Sequence, residues 1–437
     1  MNQEPASRVR WFLIGWLFVL SAVAFLDRVN LSIAGSSLSA EYHLSNVQFG
    51  LLSTALLIGY TLFQTPAGWL ADRFGPRRVL TAAVLWWGVF TALTAAVPRS
   101  IATPLLALIA IRFLLGSGEA IMYPASNQFV SRWIPTQERG AASGVIFAGV
   151  GVGSGLSPFL VTCTMAHHGW RFSFWACAMI GCAVGAVWYL AARDTPQQHS
   201  RVSHLELTKI QSGLTLGALV VQTDTTFKAS PPWTKILTSR DLWLVTASYF
   251  CYGYVAWIFF AWFYRYLSEV RGLNLKASAF YGTLPFLAMA ISCPLGGVIS
   301  DILTRTAGRR IGRCGVAAFA IALAGIFLAF GSRVDNARLA SVVLAGGAGA
   351  LYFSQSSFWS VSADIGGSFS GSVSGFMNMG AQTGGALTAS LTPWIAGRYG
   401  WTASFLVAAT LCGFGAFAWL LVDPDRKQVA ASLSTAT

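Results

Sequence analysis

Twelve apolar stretches recur along this chain, each about the length that a helix needs to cross a hydrocarbon core of about 30 Å. They constrain its fold more than any other feature. They run at 11–37, 47–70, 79–97, 101–124, 141–165, 170–192, 242–267, 276–300, 312–331, 337–361, 368–395 and 400–422. In lipid every backbone polar group must bond within the protein, so apolar runs of this length become helices. Composition agrees: 10% of the 437 residues are charged and 55% hydrophobic, where soluble domains carry about 25% charge. The expected fold is an all-α membrane protein of twelve transmembrane helices. The first run, from Trp11, is too long for a cleavable signal and is expected to serve as its own anchor.

A net charge of +13 would suggest a nucleic-acid partner in a soluble protein. Here the positive residues must first be assigned to the two sides of a membrane. With both termini cytoplasmic, nineteen Lys and Arg fall on the inner side, including Arg8, Arg10, Arg132, Arg139, Arg313, Arg426, Lys427 and six between Arg193 and Arg240. Eight fall outside, so the basic balance reads as topology in a bacterial inner membrane, and no nucleic acid is expected. The seven cysteines stand singly in apolar segments and read as small buried hydrophobes. His167-His168 reads as an outer-loop pair, with no metal site. No nucleophile–base set or metal motif is present, so neither an enzyme nor a cofactor is expected, and no signalling domain supports a membrane sensor.

The chain reads as two halves, 1–192 and 241–437, joined by a polar cytoplasmic linker at 193–240. Ser143-Gly144, Gly149, Gly153, Gly169-Trp170 and Phe174 recur at a constant shift of 231 as Ser374-Gly375, Gly380, Gly384, Gly400-Trp401 and Phe405. A second correspondence pairs Gly68, Asp72, Arg73, Gly75, Arg77 and Arg78 with Gly297 and Asp301, followed by Arg305, Gly308, Arg309 and Arg310. Glycine permits close helix approach. An aspartate at such a helix end can pair with an arginine on the opposite half and release it when the halves rock, which makes this a gating loop.

Two arginines belong to neither side: Arg28 and Arg112 lie inside predicted helices. A charge at mid-bilayer costs about 2.5–3.5 kcal/mol even on the lenient insertion scale. Neighbours on a helix point about 100° apart, so Asp27 and Arg28 cannot satisfy one another and each needs a partner elsewhere. On the fourth helix Arg112 and Glu119, seven residues apart, share a face about 10.5 Å long. The shift of 231 places Val343 and Ala350 at the matching positions, so the second half lacks these charges. A guanidinium offers a planar fork to a carboxylate, which suits Arg28 and Arg112 to anion binding. The protonation of a buried carboxylate responds to whether a neighbouring arginine is occupied. Glu119 is therefore the first candidate for a coupling proton and Asp27 the second.

The loop pattern resembles the signature of the major facilitator superfamily, over essentially the whole chain. That resemblance implies two pseudo-symmetric six-helix bundles, a central substrate site and alternating access. LDRVNLSIA at Leu26–Ala34, GYTLFQTPAGWLADRFGPRR at Gly59–Arg78, RFLLGSGEAIMYPA at Arg112–Ala125 and SGFMNMGAQTGG at Ser374–Gly385 resemble, more closely, the superfamily's anion:cation symporters. This implies substrate and proton roles for Asp27, Arg28, Arg112 and Glu119, and cavity lining by Tyr60, Gln64, Ser356, Trp359 and Asn378. The chain departs from the family at Trp262-Phe263-Tyr264-Arg265-Tyr266-Leu267, where the usual proline is missing and with it the usual cause of a helix break. Arg265 reads as a residue that snorkels to headgroups or guides anions at the outer mouth.

The expected function is proton-coupled symport of a small organic anion, of sugar-acid type, by a monomer in the lipid bilayer. The alternative is an exporter or exchanger of another carboxylate.

Overall fold

The computed structural model describes residues 6–101, 103–214, 219 and 231–425. Lys228, Arg426, Lys427 and part of the linker at 193–240 lie outside the described residues. Nine helical stretches are long and apolar enough to cross a membrane. Three of them, Thr136–Ala191, Lys276–Gly331 and Ala337–Tyr399, are 56 to 63 residues long and contain two passes each, so the described residues make twelve.

The passes are α1 (Val9–Tyr42), α2 (Asn46–Phe74), α3 (Pro76–Ala96) and α4, in two segments (Pro104–Glu119 and Met122–Trp133). The stretch Arg139–Ala191 breaks at Gly169 into α5 (139–168) and α6 (170–191). The second half holds α7 (Arg240–Ala261), α8 (Leu275–Arg309), α9 (Val316–Gly331), α10 (Ala337–Phe353 and Gln355–Gly366), α11 (Ser370–Tyr399) and α12 (Trp401–Leu421). Local signals set several starts. Proline opens α3 and α4, where its missing N–H costs nothing. Ser45 and Gln48 form a reciprocal cap on α2.

The sequence repeat is a repeat of backbone. Gly169 and Gly400 take φ of +80° and +84° with ψ of 170° and 161°, a region open essentially to glycine alone. Each turns the chain directly from one pass into the next. The repeated Gly149 and Gly153 set α5 against the carbonyls of Phe18 and Ala22 on α1, while Gly380 and Gly384 set α11 against Thr246 and Phe250 on α7. Gly144 meets Cys293 and Pro294 of α8, and Gly375 meets Gln64 of α2, so the same repeat also builds the seam between the halves. α1 begins and α12 ends on one face, called here the terminal face.

Several expectations change. The fourth pass continues nine residues past 124, to Trp133, with a break at Ala120 and Ile121. The seventh pass breaks without a proline: Trp262 leaves helical geometry at φ −121°, its indole donating to the Thr388 carbonyl, and a π-turn follows at Tyr266–Val270. Four arginines counted as topological, Arg10, Arg132, Arg139 and Arg313, are buried. Arg10 bonds Glu206 and Glu138, which with Ser7 fastens the first part of the linker to the first half.

Candidate functional site

The four charges expected in the membrane converge near the middle of the first half. Arg28 on α1 donates through Nε to Glu119 on α4 at 2.7 Å, and lies over the rings of Phe25 and Tyr60 at 4.9 and 4.4 Å. This contact resolves the adjacency of Asp27 and Arg28: the base reaches another helix, and the acid turns the other way. Asp27 is buried beside the Thr91 hydroxyl, with Glu119, Arg112 and Arg28 as its charged neighbours. Among the described residues neither Asp27 oxygen, nor Nε and Nη1 of Arg112, nor Oε1 of Glu119 has a hydrogen-bond partner. Buried polar groups are nearly always bonded, and those left over call for an explanation. Open valences on both acids and on the free arginine are what a cluster awaiting a ligand or a proton would show.

Two spaces meet at Arg28. A central cavity of about 590 Å³ lies between the halves, lined by Arg28 and Tyr60 from the first and by Tyr249, Tyr352, Gln355 and Gln382 from the second. A vestibule of about 1020 Å³ opens toward the non-terminal face, bordered by Arg28, Arg112, Ser32, Ser53, Trp257 and Phe260. The rings of Phe25 and Phe260, 5.8 Å apart, border both. On the second-half wall the chemistry is neutral. Tyr249 accepts from the Gln355 amide and the Trp359 indole, both at 2.9 Å, so its own proton is left to donate into the cavity. Gln355 Oε1, Gln382 Oε1 and the Tyr352 hydroxyl are buried without partners among the described residues.

Toward the terminal face the halves are shut. The Asp72 carboxylate of α2 accepts from the Gly371 and Ser372 amides at 2.9 and 2.8 Å, and from the Ser372 hydroxyl, at the start of α11. The Asp301 carboxylate of α8 accepts from the Gly140 and Ala141 amides at 3.0 and 2.7 Å, at the start of α5. Anions at helix N-termini meet unpaired N–H groups and the positive end of the dipole. The expectation of an aspartate–arginine pair across the halves is thus corrected for Asp72, whose partners in the other half are two backbone amides and the Ser372 hydroxyl. Asp301 does bind an arginine, Arg313 at 2.6 Å, within its own half. An arginine–carboxylate pair that does join the halves is Arg139 with Asp364. A Cβ on Gly68 would collide with the Gly371 carbonyl, and one on Gly297 with that of Gly140.

The other expected residues are distributed differently. Asn378 lines the cavity and donates to Gln64 at 2.9 Å, and this bond itself crosses the halves. Gln64 gives its Oε1 to that bond, keeps a buried Nε2 without a partner among the described residues, and is not part of the cavity wall. Ser356 does not face the cavity either, because its hydroxyl donates to the Cys293 carbonyl of α8. Trp359 sits behind Tyr249, its ring packed on Tyr123 and Phe147. Gly75 and Arg77 work inside the first half, where the Arg77 amide donates to Asp194 and its side chain to the Tyr189 carbonyl. Arg73 is exposed over Trp69 and Phe74, and Arg78 is exposed. Arg265, exposed at the end of the seventh pass, pairs with Glu269 at 2.9 Å. Sequence reading missed Tyr249, Gln355 and Asp364, since a tyrosine or glutamine amid aromatic helices and an acid near a helix end carry no local mark.

The family model of the Major Facilitator Superfamily matches residues 17–389. A probable sulfoacetate transporter of Cupriavidus necator is 32% identical over 95% of this chain and 94% of its own length. A probable galactarate/D-glucarate transporter of Bacillus subtilis is 31% identical over 68% of this chain and 66% of its own. The solved structure of the proton:xylose symporter XylE, bound to 6-bromo-6-deoxy-D-glucose, superposes with a TM-score of 0.74, covering 94% of this chain and 96% of that one at 14% identity, which bears on the fold alone. The chain therefore belongs to the Major Facilitator Superfamily, within its anion:cation symporter branch, and is a membrane transporter and not an enzyme.

Proposed function

We propose that the protein imports a small organic anion of the sugar-acid type together with at least one proton. The observation that carries this reading is the Arg28–Glu119 contact at 2.7 Å beside an Arg112 with two nitrogens unpaired, in a cluster that borders both spaces. An entering carboxylate competes with Glu119 for Arg28 and is drawn in by Arg112, which reaches the vestibule. Glu119, released from its partner, is the group that takes up the coupling proton in this reading, so cargo and proton occupy the site together. Asp27 is the reserve for a second proton. Tyr249, Gln355, Gln382 and Asn378 offer donors and acceptors to the hydroxylated end of the cargo. Breaking the Asp72, Asp301 and Arg139–Asp364 contacts then opens the terminal face. That face is the cytoplasmic side of a bacterial inner membrane, supported by the excess of basic residues in its loops. The protein acts there as a monomer.

A relative named for sulfoacetate, a small dianion, supports a second reading in which both arginines engage cargo at once.

The test is uptake into proteoliposomes with a pH gradient, after a thermal-shift screen of the purified protein against aldonates, aldarates, uronates and their neutral amides. Acids raise Tm and the amides do not. Glu119→Gln loses gradient-driven accumulation while exchanging bound cargo across the membrane. Full gradient-driven uptake by that variant would move the proton to Asp27, and hits confined to neutral or cationic compounds would end the anion reading.

A further inference from the structure

The terminal-face end of the first half carries a second concave site, remote from the transport pathway. The cytoplasm-proposed ends of α1 and α6 are neighbours, joined by the Trp16 indole donating to the Val184 carbonyl at 3.0 Å. Beyond them the chain from 192 to 203 folds back over the gap and is held there firmly. Trp133 donates to the Arg193 carbonyl, His199 Nε2 donates to the Ala191 carbonyl while its Nδ1 accepts from the Arg201 amide, and Ser203 and Ser7 exchange hydrogen bonds. The pocket so formed, about 1210 Å³ and open on one side, is lined by Arg8, Arg193, Arg201 and His199 together with Phe12 and Leu190.

Among the described residues its charge is uncompensated. None of the three arginines forms an ion pair among the described residues, because the carboxylates of this region are engaged elsewhere. Glu206 and Glu138 serve Arg10 and Lys209, and Asp194 caps the start of α3 through the Arg77 amide. Burial and the fields of Arg193 and Arg201 both press the His199 imidazole toward its neutral form. Against this basic floor stand apolar side chains turned outward, Phe12 57% and Leu190 71% exposed, which on a membrane helix means lipid contact. Cations next to exposed apolar surface at a membrane edge match a molecule with an oxyanion head and acyl tails.

We infer that this pocket binds the phosphate headgroup of an anionic phospholipid, with Arg8, Arg193 and Arg201 on the phosphate and Phe12 and Leu190 along the chains. A basic residue near an anionic lipid surface contributes on the order of 1 kcal/mol, so losing two weakens binding about thirtyfold. Arg8 and Arg201 are the side chains to remove, since both are exposed and neither side chain makes a structural bond among the described residues.

The test uses the purified full chain in a nonionic detergent, titrated with phosphatidylglycerol, phosphatidylcholine or inorganic phosphate and followed by Tm and by native mass spectrometry. Phosphatidylglycerol raises Tm and leaves bound-lipid peaks, and phosphatidylcholine does neither. The Arg8→Gln/Arg201→Gln variant keeps its basal Tm and needs about thirty times more phosphatidylglycerol for half the effect. Three outcomes overturn the inference: an equal response to both lipids, a variant that responds like the parent, or inorganic phosphate producing the same shift. The last would assign the pocket to a free phosphate compound.

Discussion

The two halves of this transporter agree in their turns and differ in their middles. Gly169 and Gly400 turn the chain with the same φ within a few degrees, and Asp72 and Asp301 each bind the first amides of a helix in the opposite half. At mid-depth the likeness ends, because the first half holds Asp27, Arg28, Arg112 and Glu119 where the second offers tyrosines and glutamines. The repeat places Val343 and Ala350 opposite Arg112 and Glu119. A fold that rocks about its centre needs hinges and latches on both sides. A charge in a membrane is expensive, and under the proposed function one set is enough to hold one cargo.

The largest effect should come from removing the unshared chemistry. Arg112→Ala is expected to weaken binding of the organic acid at least about a hundredfold, the loss of a charge-assisted pair of about 3 kcal/mol in a dry site. Equilibrium binding of a radiolabelled acid measures it. The sharper form adds Val343→Arg and Ala350→Glu to an Arg112→Ala/Glu119→Ala background. Binding should stay absent, because the transplanted charges would have no Asp27 or Arg28 near them: Ala350 lies among Leu287, Ile291, Phe319 and Phe353, away from the central cavity. Recovery of binding would mean that the halves are chemically interchangeable and that the contrast between them has no functional content.

Next in size is a difference within a shared feature. Both latch aspartates bind two backbone amides, but Asp301 also neutralises the buried Arg313, whose Nε is already without a partner among the described residues. Asp72→Asn loses charge-assisted bonds at a helix terminus, about 1–2 kcal/mol. Asp301→Asn strands a buried guanidinium as well, at about 3–5 kcal/mol. Both variants should shift the protein away from the state with a closed terminal face, Asp301→Asn further. Maleimide labelling of Ser53→Cys, on the vestibule wall, in a cysteine-free background reads this as slower modification. Equal slowing would show that Arg313 contributes nothing to the latch.

The sequence made the twelve passes readable because apolar length and the cost of charge in lipid act locally, residue by residue. It also exposed Asp27, Arg28, Arg112 and Glu119, since any charge in such a run stands out. The Arg28–Glu119 pairing spans 91 positions, and nothing local singles it out from Arg112–Glu119 on one face. Asp364 was illegible for the opposite reason: near a helix end an acid costs little, and only the fold brings Arg139 to it from 225 positions away. Ser356 misled because a serine in a membrane helix can bond a neighbouring helix's carbonyl as readily as a ligand, and here it does. The break at Trp262 had no proline to announce it, and it arises from an indole reaching α11.

The smallest expected effect tests the likeness instead of the contrast. A Cβ added at Gly169 or Gly400 would meet nothing within 4 Å, so alanine at either position would be opposed by the backbone conformation alone. That conformation costs a non-glycine residue about 1–3 kcal/mol. Gly169→Ala and Gly400→Ala should therefore lower Tm by similar small amounts with cargo affinity unchanged, since both turns lie at the non-terminal face, outside the charged cluster. Because the two turns sit in different halves and share no partner, the double variant should lose the sum of the two. A double loss well beyond that sum would mean that the two turns are energetically coupled through the packing between the halves, although they share no partner.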